Sequence, residues 1–145
     1  MSFSRLYHSI AKVYDITTVE GKKRLETTRK RLRKIIEELG LKLHKEDKVL
    51  VLMSGSCIEG FALALELKIF ALCLDINKEL IEKRRKHAKE LGLSLEFRIC
   101  DVRSLEKCLY SNERFKLVTL WGSSLTHLSI WGFDKLVTTL KNYLY

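Results

Sequence analysis

From about residue 48 onward, the hydrophobic and polar positions of this chain follow two alternating periods. Short apolar runs, typical of buried strands, are each followed by a segment with apolar residues every three or four positions, which is typical of an amphipathic helix. The pattern predicts strands at 48–53, 69–74, 94–99 and 115–121, and helices at 58–67, 78–91, near 104–110 and near 131–143. Apolar strands alternating with amphipathic helices indicate a doubly wound α/β fold, whose parallel sheet is covered on both faces.

Two helical segments are predicted ahead of the first strand. The segment 3–15 carries aromatic and apolar residues at helical spacing, Tyr14 among them, and we interpret it as a short helix or lid. A second helix, over 19–39, has a strongly basic outer face. We therefore expect a single domain, with an N-terminal helical lid over 1–40 and an α/β core over 46–145.

The composition excludes several classes of protein. Apolar residues make up 46% of the 145 residues, which suits a buried core and not a disordered chain. No apolar run approaches a membrane span, and the N-terminus lacks the apolar core of a secretory signal. The cysteines, Cys57, Cys73, Cys100 and Cys108, lack the spacing of a metal site. We expect them to be buried and unpaired in a reducing compartment, in a cytoplasmic protein that holds no metal and contacts no membrane.

The net charge of +9 arises from 27 Lys and Arg against 18 Asp and Glu, and it leaves two interpretations open. A basic balance favours an anionic partner such as RNA, for which helix 19–39 would supply the surface. An excess of Lys, Arg and Glu is also typical of the ordinary solvated surface of a thermophile protein.

The most informative segment follows the first predicted strand. Ser54, Gly55 and Ser56 form a tight turn of small residues, which lets the backbone come close to a ligand. Asp75 ends the second strand, twenty residues after Gly55, and Asp101 follows the third strand. The carboxyl ends of parallel strands meet at one edge of the sheet, where ligands bind. This arrangement predicts a site for a nucleoside-bearing cofactor, with a carboxylate that accepts hydrogen bonds from ribose hydroxyls.

Two other nucleotide-binding turns do not fit this segment. A phosphate-binding P-loop requires Lys followed by Ser or Thr after its last glycine, whereas Phe61 and Ala62 follow Gly60. A nicotinamide-binding turn requires a glycine where Met53 stands.

On these motifs the chain resembles the class I S-adenosylmethionine-dependent methyltransferases over nearly its whole length. The shared pattern comprises the strand and turn Val49–Gly60, the acids Asp75 and Asp101, and the Phe-Lys-Leu-Val strand that begins at Phe115. The segment 10–15 is also similar to the lid of small-molecule and quinone-type methyltransferases. The resemblance implies a Rossmann-like core with strand order 3-2-1-4 and S-adenosylmethionine as the cofactor.

The resemblance further implies contacts to each part of that cofactor. Asp75 would accept hydrogen bonds from the ribose hydroxyls, with Ile76 packed on the adenine ring. Asp101 would accept a hydrogen bond from the adenine amino group, with Val102 beside it. The backbone of Ser54–Ser56 would approach the methionine part.

The reaction centre would lie where the fourth strand ends. Trp121 and Gly122 would line it, and His127 is the candidate general base, unless it simply caps the following turn. Tyr14 would close over the cofactor, or else attach the N-terminal helix to the core. The implied activity is methyl transfer to a small molecule or another non-DNA acceptor. A catalytically inactive relative, or an RNA-binding module that uses helix 19–39, is the alternative.

The chain also departs from the family pattern. Val51 stands where the family has an acid that helps to orient the methionine moiety, and Met53 and Cys57 stand where it has glycines. The family continues past the last predicted helix with three more strands, whereas this chain stops at Tyr145. The strand 115–121 would then be a sheet edge, so we expect either a fragment of a longer methyltransferase or a homo-oligomer that pairs this edge with its own copy.

Overall fold

The computed structural model describes residues 13–145, with only the backbone described for 122 and 123. Residues 3–12 of the predicted lid segment 3–15 therefore lie outside the described residues. The helices are α1 (Val19–Glu38), α2 (Ile58–Leu67), α3 (Lys78–Glu90) and α4 (Ile130–Leu140). The strands are β1 (Lys48–Leu52), β2 (Phe70–Asp75), β3 (Leu95–Ile99) and β4 (Leu117–Leu120). Short 3-10 helices span Val102–Lys107, Gly122–His127 and Lys141–Tyr143.

The four strands form one parallel sheet in the order β3-β2-β1-β4. Val51 in β1 pairs with Cys73 of β2 on one side and with Thr119 of β4 on the other. Parallel neighbours require crossover connections, and these place helices on both faces of the sheet. The predicted doubly wound α/β fold with strand order 3-2-1-4 is confirmed.

Alternate residues of the strands face two separate cores. Val49 and Val51 belong to the core that α1, α2 and α3 cover, where Phe61 is fully buried. Leu50 and Leu52 belong to the opposite core, under α4 and the 3-10 helices. Both faces of β1 are thus buried, which explains why its sequence is a continuous apolar run and does not alternate.

Side-chain caps decide where several helices begin. The predicted N-cap Asn77 is confirmed, since its Oδ1 accepts a hydrogen bond from the backbone N of Leu80 at 3.1 Å. The predicted helix near 104–110 instead begins at Val102 and is a 3-10 helix, because Asp101 caps it by accepting from the backbone N of Arg103 at 3.0 Å. In the described part of the chain, no helix combines the length and apolarity needed to cross a membrane.

The expectation of unpaired cysteines is wrong, because Cys57 pairs with Cys73 and Cys100 pairs with Cys108. The first pair joins the residue that precedes α2 to the neighbouring strand β2. Gly60 leaves room for it, since a Cβ atom there would lie 2.4 Å from Cys57 Sγ and 2.5 Å from Cys73 Sγ. Sequence spacing does not reveal such a pair, because sheet neighbours bring the sulfurs together across a separation of 16 residues.

Strand β4 forms one edge of the sheet, as expected. The chain's last residues reach only its beginning, where the backbone N of Phe115 donates to the carbonyl of Tyr143 at 2.8 Å. Leu144 and Phe115 form an isolated parallel bridge at this point. Within the described residues, no strand pairs with the outer side of Leu117–Leu120.

Candidate cofactor site

A cavity of about 480 Å³ lies at the carboxyl ends of β1, β2 and β3. Its volume falls in the range of small-molecule sites, roughly 300–1,000 Å³. Six residues singled out in the sequence line it, namely Gly55, Asp75, Ile76, Asp101, Val102 and His127. They come from four segments of the chain, which the parallel sheet brings to one edge.

The turn after β1 has a left-handed backbone at alternate residues. The φ angles are 49° at Met53, 49° at Gly55 and 55° at Cys57. Met53 and Cys57 thus adopt the conformation that glycines usually supply, at about 1–2 kcal/mol for each residue that carries a Cβ. The backbone of the turn thus keeps the conformation of a glycine-rich turn, although only one of these three positions is glycine.

The carboxylate of Asp75 ties this turn to the end of β2. Its Oδ2 accepts from the backbone N of Gly55 at 2.7 Å, and its Oδ1 accepts from the backbone N of Asn77 at 2.8 Å. Each carboxylate oxygen can accept a further hydrogen bond. Asp75 therefore retains the capacity to hold a pair of hydroxyl groups at the cavity.

Asp101 forms an ion pair with Arg103, which also lines the cavity. Nε of Arg103 donates to Oδ1 at 2.9 Å, and its Nη2 donates to Oδ2 at 2.6 Å. These side-chain bonds, with the one from the backbone N of Arg103, hold the pKa of Asp101 below its usual range. The carboxylate is thus an ionised acceptor at neutral pH. Arg103 was not among the predicted site residues, and its one signal in the sequence is its position two residues after the acid.

Apolar side chains provide a surface between the two acids. Ile76 is 64% exposed although it is a large apolar residue, and it lies at the cavity rim. Val102 lines the cavity from the β3 side and belongs to the core beneath it. A flat apolar ring can pack between these side chains while its polar edges reach the carboxylates.

His127 lines the cavity at the end of the 3-10 helix Gly122–His127, together with Ser124 and Leu128. The predicted polar loop 122–127 is thus a 3-10 helix. Ser124 Oγ donates to the carbonyl of Trp121 at 2.9 Å, which tightens the first turn. His127 is exposed and also lines the cavity, so its ring is in contact with both the cavity and solvent.

Other predicted residues are not among those that line the cavity. Ser54 is buried, Ser56 is half-buried, and Trp121 packs against the core that α1 and α2 cover. Tyr14 also packs there, where its hydroxyl accepts from Arg24 Nη2 at 3.0 Å and the guanidinium lies 4.0 Å from its ring centre. Tyr14 thus attaches the segment before α1 to that helix.

Two acids outside the cavity lining, the buried Asp15 and the half-buried Glu59, have pKa shifts of opposite sign. Burial alone would raise the pKa of Asp15, but hydrogen bonds from Lys83 and Thr17 and the charge of Arg84 outweigh it and hold that pKa well below its usual range. Burial raises the pKa of Glu59 in α2, and a bond to its own backbone N–H and the charge of Arg24 offset this only in part.

Comparison with known proteins places these features in a family. Residues 43–129, more than half of the chain, match a family model described as a methyltransferase domain. No curated protein sequence matches the chain.

Solved structures share the fold. An S-adenosylmethionine-dependent methyltransferase from Clostridium acetobutylicum is 20% identical, with a TM-score of 0.70 over 97% of this chain and 54% of that one. The PH0226 protein from Pyrococcus horikoshii is 24% identical, with a TM-score of 0.73 over 99% of this chain and 58% of that one. The glycopeptide N-methyltransferase MtfA complexed with sinefungin is 17% identical, with a TM-score of 0.65 over 81% and 46%. The chain thus spans little more than half the length of the first two structures.

Proposed function

Because this chain belongs to the methyltransferase domain family, we propose that its cavity binds S-adenosylmethionine and that it transfers a methyl group to a small molecule or another non-DNA acceptor. The observation that carries the proposal is the convergence of Asp75 and Asp101 on one cavity beside a glycine-type turn. The structural similarity to MtfA, whose structure holds the S-adenosylmethionine analogue sinefungin, supports the same cofactor.

The residues that line the cavity support this proposal for the nucleoside part of the cofactor. Asp75 would hold the ribose hydroxyls with the acceptor capacity that its two backbone contacts leave free. Asp101 would accept a hydrogen bond from the adenine amino group. Ile76 and Val102 would pack on the adenine ring. The backbone of Ser54–Ser56 would approach the methionine part.

Direct methyl transfer requires no covalent bond between the protein and either substrate. Bound S-adenosylmethionine supplies a methyl group on a positively charged sulfur, which is a good leaving group. The residues of the cavity hold the donor in place for an in-line approach, and such positioning can supply roughly 7–11 kcal/mol of the barrier. Trp121 and Gly122 would line the reaction centre. His127 would accept the proton from an acceptor atom that carries one.

Calorimetric titration with S-adenosylhomocysteine, the demethylated product, tests the proposal. We expect binding to the wild type and a roughly 10- to 100-fold loss of affinity in Asp75→Asn, which removes the charge that strengthens the ribose hydrogen bonds. Asp134→Asn, in the exposed part of α4, is the control and should bind like the wild type. Absence of binding at millimolar ligand would contradict the proposal and favour an inactive relative.

The alternative, an RNA-binding module, has weaker support. Arg29 and Arg33 on the basic side of α1 both form ion pairs with Glu66 of α2, so part of this charge holds the two helices together. Binding to RNA phosphates must weaken steeply with salt. Filter binding to RNA would establish the alternative if the affinity falls steeply with salt concentration and disappears on charge reversal at Lys30 and Arg31.

We also propose that the edge of β4 and an exposed face of α4 form the contact of a homo-oligomer. The outer side of Leu117–Leu120 carries no paired strand in the described residues. In α4, Ile130, Phe133 and Val137 follow one helical stripe and are 78%, 41% and 40% exposed. A two-fold axis would pair the two β4 strands antiparallel and bring both stripes into the contact.

A further inference from the structure

The two carboxylates of the cavity differ in how much hydrogen-bonding capacity they retain. Each oxygen of Asp75 accepts one hydrogen bond, from the backbone N of Gly55 or of Asn77. Each oxygen of Asp101 accepts two, and all of them come from Arg103. A carboxylate offers about four acceptor positions in total. Asp75 therefore keeps positions for a ligand, whereas those of Asp101 are already occupied.

Arg103 contacts this carboxylate through both its backbone and its side chain. Its backbone N donates to Oδ1 at 3.0 Å, and this contact caps the 3-10 helix Val102–Lys107. Its Nε lies 2.9 Å from Oδ1 and 3.0 Å from Oδ2, and its Nη2 donates to Oδ2 at 2.6 Å. Because the backbone contact is part of the fold, only the guanidinium can give up its positions to a ligand.

The guanidinium can leave Asp101 without a change in the backbone. The side chain of Arg103 is 67% exposed, and that of Asp101 is 36% exposed. The backbone of Arg103 is held at its N–H by Asp101 and at its carbonyl, which accepts from Nζ of Lys135 at 3.4 Å. Exposed ion pairs contribute little to stability, because water solvates both charges after they separate. A ligand group that donates to Asp101 can therefore replace the guanidinium at modest cost.

We propose that Arg103 is a specificity-determining residue, which sets how strongly the cavity selects a purine that carries a 6-amino group. The inference rests on the proposed cofactor, whose adenine amino group would donate to Asp101. That amino group has to take acceptor positions from the guanidinium, so the hydrogen bond that forms replaces an ion pair that is lost. A purine without the amino group leaves the ion pair in place. Arg103 thus lowers the selectivity that Asp101 alone would give the site.

The opposite effect would be expected if Arg103 only oriented the carboxylate. In that case, loss of the guanidinium would weaken the contact to the amino group and lower the selectivity. The N-cap contact argues against this role, because the backbone N of Arg103 holds Oδ1 without help from the side chain. Arg103→Ala keeps that backbone contact and removes the guanidinium alone. The sign of its effect therefore distinguishes competition from orientation.

Two nucleosides that differ only in the amino group measure this selectivity. 5′-Methylthioadenosine carries the group, and its purine analogue has a hydrogen atom in its place. Calorimetry gives the ratio of the two affinities, in which the contacts shared by both ligands cancel. The ratio should be roughly two- to fivefold higher in Arg103→Ala than in the wild type, the range expected for an exposed ion pair. Arg31→Ala is the matched control, because it removes an exposed arginine of α1 outside the cavity lining and should keep the wild-type ratio.

Two further measurements assign the effect to the ion pair. Salt screens exposed charges, and both nucleosides are uncharged at neutral pH. The wild-type ratio should therefore rise toward that of Arg103→Ala as NaCl is raised to about 1 M. Asp101→Asn keeps an oxygen for the N-cap contact but removes the charge that holds the guanidinium. In this background, Arg103→Ala should leave the ratio unchanged.

The outcomes separate this inference from the proposed function. If Arg103→Ala has the wild-type ratio or a lower one while S-adenosylhomocysteine still binds, the inference is wrong and the cofactor proposal stands. If the ratio rises in Arg103→Ala but also rises as much in Arg31→Ala, the effect belongs to net charge, and the inference again fails alone. If neither the wild type nor Arg103→Ala binds the nucleosides or S-adenosylhomocysteine, both proposals fall.

Discussion

The two disulfides should supply a large share of the stability of this protein. They close loops with sequence separations of 16 residues, between Cys57 and Cys73, and 8 residues, between Cys100 and Cys108. The loop-entropy relation gives about 3 kcal/mol for the first loop and about 2.5 kcal/mol for the second. A domain is typically stable by about 5–15 kcal/mol in total, so loss of both cross-links, about 5.5 kcal/mol, should remove at least about a third of the stability.

Urea unfolding of the wild type with and without dithiothreitol measures the combined effect. The double variants Cys57→Ala/Cys73→Ala and Cys100→Ala/Cys108→Ala then assign it to each pair, since each retains one cross-link. Replacement of a buried sulfur also removes packing, because Cys57 and Cys73 are fully buried. The reduced wild type keeps its sulfur atoms and isolates the contribution of the cross-links. A wild-type midpoint that does not move with reductant would refute this reasoning.

The remaining predictions concern local strain, buried charge and association. Lys68→Gly should stabilise the fold by about 1 kcal/mol in urea unfolding, because Lys68 is exposed and has a left-handed φ of 57°. An unchanged free energy of unfolding would show that the left-handed backbone at Lys68 costs nothing. Asp15→Asn should destabilise the fold by about 2 kcal/mol at pH 7, and the difference should disappear at strongly acid pH, because the stability from a carboxyl with a lowered pKa is complete above its unfolded value of about 3.9 and is lost as pH falls through the lower folded value. Glu59→Gln should instead leave stability unchanged or raise it at pH 7, since a carboxyl with a raised pKa loses stability as pH rises. Val137→Lys should shift the protein to monomer in size-exclusion chromatography with light scattering, and an unchanged oligomer would exclude this face as the contact.

Much of the fold could be predicted because the information is local. The runs Val49–Leu52 in β1 and Ala71–Leu74 in β2 are apolar and buried, a pattern typical of strands covered on both faces. Asn77 and Gly92 marked the ends of α3 through capping chemistry that acts within a few residues. Strand order did not follow from pattern alone and came from the resemblance to a family.

The features that could not be predicted depend on neighbours in space. Cys73 meets Cys57 because β2 lies beside β1, a contact that no spacing rule contains. Arg103 was missed at the cavity because its role depends on the rotamer that turns it back onto Asp101.

The turn after β1 shows how a cofactor-type geometry survives the loss of two glycines. Left-handed backbone at Met53 and Cys57 costs about 2–4 kcal/mol together. Two interactions stabilise the same turn. The Cys57–Cys73 cross-link contributes about 3 kcal/mol, and the hydrogen bond from Gly55 N to the Asp75 carboxylate contributes about 1.5–3 kcal/mol. Their sum, about 4.5–6 kcal/mol, exceeds the strain, whereas the hydrogen bond alone roughly balances it. Reductant should therefore weaken S-adenosylhomocysteine binding before it unfolds the protein, and an affinity that is independent of reductant would show that the turn holds its shape without the cross-link.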